Sequence, residues 1–160
     1  MLALRDLPGD RLELSGLDAT VVHCLRRIPA ILARRDSAGL RNRLHPDALP
    51  HEPARNAEWH RLMDSELRRL FEKAEQTLAR DLDGVTANAV TIAFPTLHLK
   101  AWMSAINQAR VLLAEEHQLE ARDMERDQFM AGSDRDRALV EVQILGYLLH
   151  VLVEHALEGA

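Results

Sequence analysis

Aromatic residues make up only 4% of this 160-residue chain. A core built without them must come from Leu, Val, Ile and Ala. That composition favours helices over strands, since strands draw on aromatic and β-branched side chains. Cys24 is the only cysteine, so an intramolecular disulfide is excluded, as expected for a reducing compartment. The opening stretch MLALRDLPGDRLEL has no basic segment followed by an apolar one, so no signal peptide is expected. The longest apolar run, Ile144 to Val153, is roughly half the length of a membrane span. A cytoplasmic protein without membrane contact is the expectation.

Chemical motifs are also missing. There is no Gly-rich phosphate loop, nucleophile elbow, dinucleotide fingerprint, HExxH or paired CxxC. No catalytic residue, cofactor or metal is therefore assigned, and an enzyme is not expected. His45 and His51 flank Asp47 in a Pro-rich loop; with a distant carboxylate they are the nearest thing to a metal grouping. His98 is expected to be hydrogen bonded near a helix start. Cys24, on an apolar stripe, reads as a small buried hydrophobe.

What is present is strong periodicity. Leu2 and Leu4, then Leu12 and Leu14, alternate around Pro8-Gly9-Asp10 and predict a β-hairpin over 1–14. Leu17, Val21, Leu25, Ile28 and Leu32 predict a helix over 18–36, kinked or broken at Pro29. Trp59, Leu62, Met63, Leu67, Leu70, Phe71, Ala74, Leu78 and Leu82 hold one face of a helix over 55–82. Val90, Ile92 and Phe94 predict a strand over 89–94 that joins the hairpin. Helices over 97–118 and 134–157 follow, separated by a polar connection from Glu120 to Ser133. The expected fold is one mainly α domain spanning 1–160. It is four-helix bundle-like, with a small antiparallel sheet formed by the N-terminal hairpin and one short strand.

Three polar groupings stand out. Arg26, Arg27, Arg34, Arg35, Arg41 and Arg43 face one acid, Asp36, within a chain of net charge −5. Arg34, Arg35, Arg41 and Arg43 form the candidate basic patch, which suits a nucleic-acid site, an internal clamp or a solvated face. Gln143, Tyr147, His150 and Glu154 line up on the last helix as a candidate polar seam. The wide apolar arc around that seam suggests a central helix or self-association. Asn107 and Arg110 lie beside the core face of the third helix. No acid stands three or four residues from Arg110, so a clasp to Glu58 or Glu66 on the second helix is expected.

EWHRLMDSELR (58 to 68) and AWMSAINQARVLLA (101 to 114) resemble the two signature segments of an uncharacterised bacterial family, a domain of unknown function numbered twenty-seventeen. Glu58, Trp59, Arg61, Leu62, Leu67 and Arg68 match the first segment, and Trp102, Ala105, Asn107 and Arg110 the second. RLHPDAL also resembles the family's stretch around Pro46. The chain departs from the pattern at Gln108, where an acid is usual, and at Ala114, where Gly is usual. The resemblance implies a mainly helical fold of actinobacterial type without an assigned activity. Neighbouring genes for the Clp protease adaptor imply a link to regulated proteolysis. The leading expectation is a non-enzymatic interaction or regulatory protein with a protein partner or a second copy of itself. The alternatives are a nucleic-acid-binding regulator and a metal-dependent enzyme.

Overall fold

The computed structural model describes residues 1–37, 39–126, 128–130 and 132–159. Strands β1 (Ala3–Leu7) and β2 (Arg11–Ser15) form the hairpin, and Gly9 supplies the positive φ that its turn requires. β3 (Thr91–Pro95) pairs antiparallel with β2, giving the order β1-β2-β3. Leu12 sits opposite Phe94 and Leu14 opposite Ile92. All four are buried, because alternate side chains share the sheet face that meets the helices.

Helix α1 (Ala19–Leu32) is capped by Asp18, whose carboxylate accepts from the Val21 amide at 2.9 Å. It runs through Pro29 and ends three residues later, short of the expected 36. Pro29 withholds a donor only in the last turn, so the chain leaves through tighter turns: Arg34 N–H to Ile31 and Arg35 N–H to Leu32. A single turn, α2 (Arg41–Leu44), precedes the 29-residue α3 (Pro53–Asp81). A 3-10 turn at Thr96–His98 leads into α4 (Leu99–Glu116). α5 (Asp134–Glu158) follows the polar connection. That connection carries a 3-10 turn with a capping box at Glu120 and Asp123. Two ion pairs tie it to α5, Arg135–Asp123 at 2.6 Å and Arg126–Asp136 at 3.0 Å.

The core is continuous across the sheet, α1, α4 and α5, with the C-terminal end of α3 joining it. Trp102 stacks on Phe94 with ring centroids 4.2 Å apart. Its indole N–H donates to Asp81 at 2.8 Å, and His98 Nδ1 meets the same carboxylate at 2.9 Å. One carboxylate at the end of α3 therefore fixes the start of α4 against the sheet. α5 is long and apolar enough to cross a membrane by length and composition. Leu139, Leu145, Leu148 and Leu152 are nevertheless fully buried, and Ile144, Leu149 and Val151 pack at the core's edge. Most of its wide apolar arc is thus used within the chain.

Candidate functional site

The basic segment meets carboxylates of later helices. Arg34 pairs with Glu116 at 2.9 Å, Arg43 with Glu115 at 3.2 Å and Arg41 with Asp64 at 3.7 Å. Arg27 reaches Glu141 at 3.0 Å. Arg35 is buried at 6% exposure, donates Nε–H to the Leu32 carbonyl at 2.9 Å and pairs with Glu75. Arg35, expected on the surface with its neighbours, thus joins α1 to α3. The patch is a set of ion pairs binding the first third of the chain to α3, α4 and α5.

Arg110 and the two glutamates do not come together. Glu58 holds Arg61 and Glu66 holds Arg69, each one turn along α3 and each at the surface. Among the described residues, Arg110 has no hydrogen-bond or ion-pair partner. Its stem lies over Gly146 of α5 instead: a Cβ added there would sit 3.7 Å from Arg110 Cδ and 3.3 Å from its Nη1. Gly146 leaves a groove in which the apolar part of Arg110 packs while the half-buried side chain extends outward. Asn107 is exposed. Gly146 adjoins Tyr147 and lies one turn from His150, so Arg110 borders the polar seam that sequence patterning placed on α5. Within that seam His150 meets Glu154 at 3.2 Å, and Gln143 reaches the Met124 carbonyl at 3.5 Å. Tyr147, His150 and Glu154 are exposed. Gln108, where the family pattern favours an acid, is buried; its amide donates to Ser104 at 3.1 Å, and its oxygen lacks a donor.

The histidines form a network that sequence spacing did not show. His60, on α3, places Nδ1 2.9 Å from Asp64 and Nε2 2.8 Å from Asp47. His45 reaches Asp64 at 3.2 Å and stands edge-on to Phe71; Asn56 donates to Asp47 at 2.8 Å. His51 is exposed. The His45, His51 and Asp47 grouping is therefore not assembled, and no group of three or more His, Cys, Asp or Glu among the described residues is placed to hold a metal ion. The network staples the Pro-rich loop to α3.

Its electrostatics give a pH window. Hydrogen bonds to Asp47 and then Asp64 raise the His60 pKa above its ordinary 6.5. The bonds from His60 and Asn56 lower Asp47 below 3.8. Burial pushes Asp64 up, but His60 and His45 outweigh it, and its pKa falls. The His60 contribution is therefore complete below 6.5 and fades as pH rises through the raised value. The carboxylate contributions are complete above 3.8 and fade as pH falls through the lowered values. Proteolytic nicking at 45–52 is expected to increase as pH rises past the His range, and His60→Ala should be nicked readily at either pH. Equal protection of the wild type at both pH values would refute the staple.

The least expected feature is α3. Its apolar stripe, read as continuous core, is buried only at Ala74, Leu78 and Leu82, with Phe71 packed against the core's edge. Trp59, Leu62 and Leu70 are 37%, 57% and 46% exposed. They lie within a repeated pattern, Glu58-x-x-Arg61-Leu62 and Glu66-x-x-Arg69-Leu70. In each unit the Arg grips its Glu through both Nε and a terminal nitrogen. The repeat was visible in the sequence, but the regular core stripe concealed it.

The fold and its polar groups define a helical domain with a projecting amphipathic arm, held together by ion pairs between its helices. The chain belongs to the family described as Domain of unknown function (DUF2017), whose model matches residues 3–156. No curated protein and no solved structure matches it.

Proposed function

We propose that the protein is a non-enzymatic interaction protein that self-associates through the N-terminal two-thirds of α3. The observation that carries this reading is the row Trp59, Leu62 and Leu70, which the described residues leave 37%, 57% and 46% exposed. Within the two repeat units of α3, the paired charges read Glu58, Arg61, Glu66, Arg69. Reversing that order produces its complement. An antiparallel second copy sets Glu58 against its Arg69 and Arg61 against its Glu66, with Trp59 within a turn of its Leu70. A two-fold contact needs this self-complementarity, whereas a parallel copy aligns like charges. Trp and Arg are also the side chains that most often dominate interfaces.

This reading moves the self-association surface from α5, whose arc is mostly buried, to α3. The link to regulated proteolysis implied by the family resemblance is the setting we propose for such a protein. Nucleic-acid binding is the weaker alternative, because Arg34, Arg35, Arg41 and Arg43 already face carboxylates.

Light scattering should report a dimer. Replacing both Trp59 and Leu62 by Ala should weaken it by at least about 30-fold, since each anchor of an interface is worth roughly 1–2 kcal/mol or more. Charge reversal at Arg61 and Arg69 should also weaken it, and reversing Glu58 and Glu66 as well should restore it. A strict monomer at high concentration would overturn the proposal. A dimer unaffected by these changes would return the interface to α5.

A further inference from the structure

A cavity of about 400 Å³ opens between α1, α5 and the segment before α5. Cys24, Arg27, Phe129, Val140, Glu141 and Ile144 contribute to its walls. The size is that of a small-molecule site. Most of the wall's exposed area is apolar, and its charged side chains include Asp136 and Arg137 besides Arg27 and Glu141. Glu141 is 6% exposed; its Oε2 pairs with Arg27 at 3.0 Å, and among the described residues its Oε1 has no hydrogen-bond donor. A buried carboxylate oxygen without a donor is costly. It belongs to a residue lining a mostly apolar cavity, so a ligand head can supply the missing bond once the carboxylate turns toward the cavity.

The charges restrict that head. Arg27 already balances Glu141, so a second cation would stand beside a guanidinium, and an anion beside a carboxylate. What Oε1 lacks is a hydrogen bond rather than a counter-charge. We propose that this cavity binds a small neutral molecule with an apolar body and a hydrogen-bond-donating head, a hydroxyl or an amide N–H, which donates to Glu141 Oε1. The apolar body lies along Phe129, Val140 and Ile144.

Burial works against the charge on Glu141. It raises the Glu141 pKa, with Arg27 opposing, and burial followed by Glu141 raises the Cys24 thiol to about 11. Cys24 is thus a slow-reacting wall residue rather than a nucleophile at neutral pH, and its alkylation is followed at alkaline pH, where thiolate forms. As the chain's only cysteine it is also a reporter of occupancy.

The test follows alkylation of Cys24 by iodoacetamide, read by mass spectrometry on the whole protein, with 1-octanol, octylamine and octanoate as matched probes. Octanol should slow alkylation about tenfold once nine in ten sites are filled, by mass action. Octylamine and octanoate should need higher concentrations for the same protection. Glu141→Leu should remove the preference for octanol, and Ile144→Trp, which fills the cavity, should remove protection by all three. Amide shifts confined to the cavity walls during an octanol titration would support the same site without relying on either variant. Protection strongest with octanoate would make Arg27 the head's partner and overturn the proposal, as would equal protection by all three or none by any. The α3 surface is not involved, so either proposal can fail without the other.

Discussion

Trp102→Ala is expected to lower the free energy of unfolding by about 3–5 kcal/mol, the usual cost of emptying a large aromatic site in a core. The indole is fully buried and stacks on Phe94 of β3 at 4.2 Å. Truncation leaves a void that neither the sheet nor α4 can fill without moving the other. It also strips Asp81 of the indole N–H at 2.8 Å, leaving His98 as its remaining side-chain partner. Trp102→Phe separates the two effects: most of the volume stays, and only the hydrogen bond is lost, at about 1–3 kcal/mol. Urea unfolding of both variants measures the difference. A loss below about 1 kcal/mol for Trp102→Ala would mean that the junction of α3, α4 and the sheet is not where stability is concentrated.

The same junction shows why so much of the fold was legible. Ile92 and Phe94 alternate with small residues, as Leu12 and Leu14 do with polar ones. Period-2 patterns of this kind mark strands with one covered face, so the three-stranded sheet and its hairpin were readable without knowing what covered them. The helical stripes on α1, α4 and α5 were equally plain.

α3 exposes the limit. A stripe shows which face of a helix is apolar, but not whether the rest of the chain is long enough to cover it. At 1.5 Å per residue, 29 residues of α3 extend about 44 Å, while the 18 of α4 extend about 27 Å. The overhang carries Trp59 and Leu62 beyond the core, a consequence of length rather than pattern.

Arg110 was half legible. That it has no partner on its own helix follows from spacing alone. A carboxylate was the natural tertiary expectation, because a buried cation needs one. The neighbour is instead Gly146, whose lack of a side chain gives no signal on a helical wheel. Half-burial lets the guanidinium reach past the core edge, so the demand for a carboxylate was weaker than assumed. Glu141 was concealed by the converse effect, an acid set between Val140 and Val142 on α5. His60 was missed because its two partners come from different elements, Asp64 one turn along α3 and Asp47 thirteen residues back in the loop.

The basic segment leads to the second large effect. Glu75→Ala is expected to cost about 3 kcal/mol, near the low end for losing one member of a buried ion pair. The low end applies because Glu75 keeps 23% of its side chain in solvent while Arg35 keeps 7%. Most of the loss comes from Arg35, left charged between α1 and α3 with the Leu32 carbonyl as its remaining acceptor. Removing both charges behaves differently. Arg35→Met with Glu75→Leu should restore most of the stability, because two apolar side chains avoid the desolvation that the pair must offset. The surface pair Glu58–Arg61 gives the contrast: Glu58→Ala should leave folding stability nearly unchanged, and unchanged at high salt. Denaturant unfolding of the two single variants and the double variant decides the matter. A double variant no more stable than Glu75→Ala would mean that the pair holds α3 at its angle to α1 through specific geometry. Its loss should then also disturb the proposed antiparallel α3 contact, which would depend on where that helix points.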